Sequence, residues 1–75
     1  MLNREASCRR EIESALKAIG KTTETAAGNG WIIVVGTAAD LGAAALDAIN
    51  ATAAKYGQGA DAISIHLCPR MPNLY

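Results

Sequence analysis

The run Gly28-Asn29-Gly30-Trp31-Ile32-Ile33-Val34-Val35 constrains this chain more than any other stretch. Asn-Gly accepts positive φ at both positions, which is what a tight two-residue hairpin turn requires. The apolar run behind it is rich in β-branched residues and predicts a strand, Trp31 to Val35, with both faces covered. Ahead of the turn, Lys21 to Ala26 carries Thr22, Thr23 and Thr25. Threonine suits a strand, but the segment is weakly apolar, so this strand is expected to be exposed or at an edge. The two strands make a hairpin, and a lone hairpin is marginal in water, so other elements must cover it.

The covering elements are readable as helices. From about Arg4 to Ile19, the residues Cys8, Ile12, Ala15, Leu16 and Ile19 recur at spacings of three and four and form one apolar face. Glu13 and Lys17 stand at i and i+4 in the favourable order, and Gly20 suits the left-handed stop that ends many helices. After the hairpin, Thr37-Ala38-Ala39-Asp40 has a capping-box pattern in its Asp form. A helix is expected from about Ala38 to Tyr56, with a stripe of Leu41, Ala45, Ala48, Ile49, Thr52 and Tyr56. Gly57 and Gly59 end it. Ala62 to Cys68 is the last strand. Ile63, Ile65 and Leu67 alternate there with Ser64, His66 and Cys68, the period of a half-buried strand. Pro69 and Pro72 stop it.

The predicted order is therefore helix, strand, strand, helix, strand in an α+β domain spanning residues 1–75. It resembles a ferredoxin-like βαββαβ domain whose first strand is missing. In such a sheet the first strand is central, so its loss is expected to leave a gap with unpaired backbone.

Size adds a second constraint. With 75 residues, 51% of them hydrophobic but many of these alanine, and no Phe at all, the core is thin. Domains this small hide only about 60% of their unfolded surface and are commonly completed by disulfides, metals or association. Seven basic residues balance seven acidic ones, and Arg9-Arg10 is followed at once by Glu11 and Glu13. That argues against nucleic-acid binding, which needs a basic stripe for phosphate contacts. Cys8 and Cys68 are expected to be free thiols. No apolar h-region marks a leader, and the apolar run Trp31–Val35 is far too short to cross a bilayer.

Motifs for chemistry are weak. His66 is the single histidine. It shares the more polar strand face with Ser64 and Cys68, but side chains two apart on a strand point in parallel and do not make a catalytic pair with an orienting third group. No further ligands at workable spacing suggest a metal site. Gly36-Thr37-Ala38-Ala39-Asp40-Leu41-Gly42 fits neither a P-loop nor a dinucleotide fingerprint, and reads as a strand exit and helix cap. No catalytic, cofactor or metal residues are therefore expected.

The second half of the chain resembles the bacterial microcompartment shell (BMC) domain. That family reads glycine-x-glycine, an apolar strand, glycine, a short cap, an alanine-rich helix, and a strand ending H-V-I-P-R-P-H. Here these correspond to Gly28-Asn29-Gly30, Trp31 to Val35, Gly36, Asp40-Leu41-Gly42-Ala43-Ala44-Ala45 and His66-Leu67-Cys68-Pro69-Arg70-Met71-Pro72. The His-x-x-Pro-Arg ending is the most specific piece. In the first half, Glu13-Ser14-Ala15-Leu16-Lys17 looks like the family's D-x-x-x-K segment with Glu in place of Asp. Arg9-Arg10 stands where the family is usually more apolar.

The resemblance implies a BMC-type sheet with two helices on one face and a structural role without catalysis. Copies of the chain would form symmetric tiles, most simply hexamers, alongside other shell proteins in a cytoplasmic compartment. It places Gly28, Asn29 and Gly30 on a central pore passing small polar metabolites, and Lys17 and Arg70 at the edge where tiles meet. Two alternatives stand beside it. One is a small ligand-sensing module that dimerises through its sheet. The other is a small oligomeric enzyme using His66 and Cys68.

Overall fold

The computed structural model describes residues 4–70. Helix α1 spans Arg4–Ala18, strand β1 Thr25–Gly28, strand β2 Trp31–Val35, helix α2 Ala38–Leu41, helix α3 Ala43–Tyr56 and strand β3 Ser64–Cys68. The predicted order of elements is present, with the second helix divided. The strands form a three-stranded mixed sheet in the order β1-β2-β3. β1 and β2 pair antiparallel, with Thr25 opposite Val34 and Gly28 opposite Trp31. β2 and β3 pair parallel, with Trp31 beside Ser64 and Val35 beside Cys68.

Both long helices cover one face of this sheet. Cys8, Ile12 and Leu16 of α1, Ile32 and Val34 of β2, and Ala45, Ile49 and Tyr56 of α3 belong to one buried cluster with Leu41 and Ile63. Ile12, Leu16, Ile32 and Val34 are at most 2% exposed. Each such side chain contributes roughly 1.5–3 kcal/mol through burial. Alanines at Ala45 and Ala48 keep α3 narrow, and the first and last helices lie against one another.

The end of α1 follows from Gly20. Its φ of 77° lets its amide bond to the Lys17 carbonyl at 3.0 Å and the Lys21 amide to the Leu16 carbonyl at 2.8 Å. These are the two bonds of a Schellman motif. This reversal occupies Lys21, so β1 begins later than the threonine pattern suggests and runs to Gly28. Ahead of β1 the Thr23 hydroxyl donates to the Val35 carbonyl, and the Val35 amide bonds Glu24 at 2.9 Å. β1 does lie at an edge, as expected.

Three further expectations are corrected. The helix foreseen over Ala38–Tyr56 is broken at Gly42, whose φ of 86° and ψ of 167° are open only to glycine. Thr37 still caps its start, accepting from the Asp40 amide at 3.1 Å. β2 is covered on one face only: Ile32 and Val34 are buried, while Trp31 on the other face is 54% exposed. The sheet also has no gap. β3 takes the place next to β2 directly, joined by the Ser64 amide to the Gly30 carbonyl at 2.9 Å and the Gly36 amide to the Cys68 carbonyl at 2.6 Å. With two helices providing the crossover, parallel pairing leaves no unpaired strand position between them.

Candidate assembly surface

The turn between β1 and β2 has the geometry its sequence requires. Asn29 has φ 53° and Gly30 φ 80°, the paired positive values of a type I′ turn. Gly28 closes the ladder opposite Trp31. The turn is held from both sides. The Gly30 amide donates to the Glu5 carboxylate in the first turn of α1, and its carbonyl accepts from Ser64 at the start of β3. Asn29 is the exposed tip.

Lys17 and Arg70 are exposed and lie at the other end of the molecule. α1 begins beside the turn through Glu5 and runs away from it. Its last turn approaches the segment that bonds Val35, and Lys21 Nζ reaches the Asp40 carbonyl at 3.4 Å. β3 runs parallel to β2, away from the turn, so Arg70 follows its far end. Trp31 to Val35 covers roughly 13 Å of that separation. Among the described residues, Lys17 and Arg70 make no side-chain hydrogen bond or ion pair. Lys17 does line a cavity of about 270 Å³ with Glu13, Leu16, Lys21, Thr22 and Thr23. The structure thus groups Gly28, Asn29 and Gly30 at one end and leaves Lys17 and Arg70 without side-chain partners at the opposite one. Met71 and Pro72, the tail of the family-like ending, lie outside the described residues.

The Glu13–Lys17 pair is replaced by another. Glu13 accepts from the Thr25 hydroxyl at 2.9 Å and stands 3.8 Å from Arg9. Arg9 in turn donates to Thr25 Oγ1 at 2.7 Å and to the Thr25 carbonyl at 2.8 Å. Lys17 thus makes no ion pair with Glu13 and stands as the basic residue of the last turn of α1. The Arg9-Arg10 pair singled out as unlike the BMC family has one explained member: Arg9 fastens the outer strand to α1.

The open side of the sheet was not foreseen. Trp31, Ile33 and Val35 of β2 share it with Ser64, His66 and Cys68 of β3, following the alternation and register. The Trp31 and His66 rings lie with centroids 4.6 Å apart and planes tilted by 35°. Trp31, Ile33, Gly28 and Asn29 border a shallow cavity of about 380 Å³. Half of this face was legible in the polar alternation of β3. The signal missed was Trp31 itself, which begins a strand whose next residue had to point into the core.

A second polar cluster joins the helices. Tyr56 Oη donates to the Glu11 carboxylate, and Lys55 Nζ donates to its two oxygens at 2.9 and 3.1 Å. The Arg4 guanidinium lies 5.0 Å from the Tyr56 ring centre and donates to the Tyr56 carbonyl at 3.3 Å. The Tyr56 hydroxyl, then the Lys55 ammonium, hold Glu11 below the usual carboxylate range. The same carboxylate pushes both the Tyr56 phenol and the Lys55 ammonium up. Beside this cluster the helices border an open groove of about 690 Å³, where small residues such as Ser7, Ser14, Ala48 and Ala51 are flanked by Arg10, Glu11 and Tyr56.

Cys8 and Cys68 are both unpaired thiols, and burial pushes the Cys8 thiol up. Among the described residues, no three His, Cys, Asp or Glu side chains are grouped to hold a metal ion, and no helix is long and apolar enough to cross a membrane. No family model, curated protein or solved structure matches this chain.

Proposed function

We propose that this chain is a structural subunit that assembles with copies of itself, in the manner of a bacterial microcompartment shell tile. The observation that carries the reading is the opposition of its two ends. The glycine-rich turn sits at one end, fastened to α1 and β3, and Lys17 and Arg70, two cations with no side-chain partner among the described residues, sit at the other. A tile needs this division, because turns gathered around an axis form an opening while cations at the rim meet the neighbouring tile. The finer assignment, a BMC-type ferredoxin-like fold forming hexamers in a cytoplasmic shell, goes with this reading. The hairpin, the single helix layer and the His66-Leu67-Cys68-Pro69-Arg70 ending support it. Asn29 and neighbouring amides would line the opening. No covalent step is involved.

The test is Lys17→Ala, alone and with Arg70→Ala, followed by electron microscopy of the assemblies. Both positions are exposed, so individual oligomers should stay intact while extended sheets or tubes are lost. Lateral assembly equal to that of the parent would remove these residues from the edge.

A second reading keeps one specific observation. The cavity beside Trp31 on the open sheet face is the kind of concave apolar niche that a ligand-sensing dimer would close from the other side. Two copies in solution, with Trp31 fluorescence changed by small ligands, would favour that module over the tile.

A further inference from the structure

The two outer strands of the sheet are finished differently. At the β1 edge, the Thr25 carbonyl is occupied by the Arg9 guanidinium at 2.8 Å, and the strand runs out into Gly28. A charged side chain laid across an edge is a common way of blocking unwanted pairing. β3 has no such protection among the described residues. Its sequence, Ser64-Ile65-His66-Leu67-Cys68, contains neither proline, lysine nor any acidic group.

The register shows which groups are left over. Ser64 donates to the Gly30 carbonyl and Cys68 accepts from Gly36, so the backbones of Ser64, His66 and Cys68 face β2. In a regular parallel ladder the backbone amides and carbonyls of Ile65 and Leu67 then point away from the sheet. The side chains of these two residues lie on the helix side, next to Ile32 and Val34. They are less well covered than those neighbours: Leu67 is 37% exposed where Val34 is 0%. The free edge thus offers backbone donors and acceptors together with incompletely buried apolar side chains.

We propose that β3 pairs antiparallel with β3 of a second copy, around a twofold axis at His66, to make one continuous sheet. The strand is complementary to itself in this register. Ile65 stands opposite Leu67 of the second copy, and these are the residues whose outward amides and carbonyls can exchange both bonds. Apolar meets apolar on the helix side. On the open side Ser64 stands opposite Cys68, and His66 meets its own counterpart. A five-residue edge is about 17 Å long, so the contact falls below the roughly 1,200 Å² of total burial typical of tight complexes. The dimer is therefore a concentration-dependent one. This pairing does not rest on the shell reading: dimers through β3 without sheets or tubes would keep it and remove the tile.

Hydrogen exchange on the full chain tests it without mutation. Raising the concentration from the micromolar to the millimolar range should slow exchange of the Ile65 and Leu67 amides by roughly tenfold, leaving β1 amides unchanged. A covalent test fixes the register. Directly opposed positions on antiparallel strands bring Cβ atoms to about 4.5–5.5 Å, within disulfide reach. Ser64→Cys should therefore cross-link on oxidation to the native Cys68 of another copy, identified by peptide mass. Within one copy these positions are too far apart along the strand to bridge. The parent chain, with Cys68 far from the axis, should not cross-link through it. Leu67→Lys, at a partly exposed position, should return the Ile65 amide to its dilute rate. Concentration-independent exchange of Ile65 and Leu67, or no 64–68 cross-link, would overturn the proposal. So would a 68–68 cross-link in the parent, which denotes parallel or face-to-face packing.

Discussion

The Tyr56 hydroxyl donates to the Glu11 carboxylate and so ties the last turn of α3 to the middle of α1. Tyr56 is 7% exposed and part of the core, so the bond fixes where a buried ring sits. Its electrostatics contribute to the pH dependence of stability. Glu11 is held below its unfolded value, so its contribution is complete above that value, about 4.3, and is lost as pH falls through the lower folded one. Tyr56 is raised, so its contribution is complete below about 10 and is lost as pH rises through the higher folded value. Urea unfolding should show a plateau through neutral pH with losses on both sides. Glu11→Gln should flatten the acid limb and also reduce the alkaline one, because Glu11 is the main cause of the Tyr56 shift. An unchanged profile would mean that the bond contributes nothing in solution.

Arg9 is expected to be the most costly of the surface cations to remove. Arg9→Ala deletes donors to both Thr25 Oγ1 and the Thr25 carbonyl, and Thr25 is 5% exposed. The Thr25 hydroxyl keeps the Glu13 carboxylate, but the carbonyl loses its side-chain partner, and leaving one buried polar group unpaired costs about 1–3 kcal/mol. Arg10→Ala, one residue on and exposed, should change stability by less than about 0.5 kcal/mol. Denaturant midpoints of the two variants check the contrast. Equal midpoints would show that β1 does not depend on its tie to α1.

Gly42 separates α2 from α3 through its backbone and not through crowding. A Cβ placed there meets nothing within 4 Å, yet φ of 86° with ψ of 167° is open essentially to glycine alone. Gly42→Ala should cost about 1–3 kcal/mol in thermal or urea unfolding. A stabilised variant with higher helical ellipticity would indicate that α2 and α3 merge into the single helix suggested by the alanine-rich run.

Asn29 occupies the left-handed region at φ 53°. Asn29→Gly should leave stability almost unchanged. Asn29→Val, with a branched side chain in that region, should cost on the order of 1–2 kcal/mol. Similar melting of both variants would argue against the type I′ turn.

Much of this fold was legible because local chemistry and tertiary packing agree. The turn at Asn29-Gly30, the strand Trp31–Val35 and the Gly20 stop each follow from backbone preferences, and the Cys8-Ile12-Leu16 stripe follows from helical period. What was illegible depends on choices between partners. Glu13 had Lys17 on its own helix face and Arg9 on the same face, and Thr25 of another strand decided for Arg9. The break at Gly42 was hidden inside a strong alanine-rich helix pattern, where a single glycine is ordinarily tolerated at about 1 kcal/mol. The pairing of β3 directly with β2 depends on the crossover and leaves no trace in a period-two pattern. Of the candidate site, the turn residues and both cations were readable as positions. Their placement at opposite ends comes only from the parallel register of β3 and the direction of α1.

The claim on which the rest depends is that this subunit is completed by symmetric association. Sedimentation velocity of the full chain, run over a wide concentration range at neutral pH and low salt, tests it most directly. The account predicts an assembly larger than a dimer, with a hexamer as the simplest species, in equilibrium with smaller forms on dilution. A folded single subunit persisting to millimolar concentration, with no faster-sedimenting boundary, would contradict it.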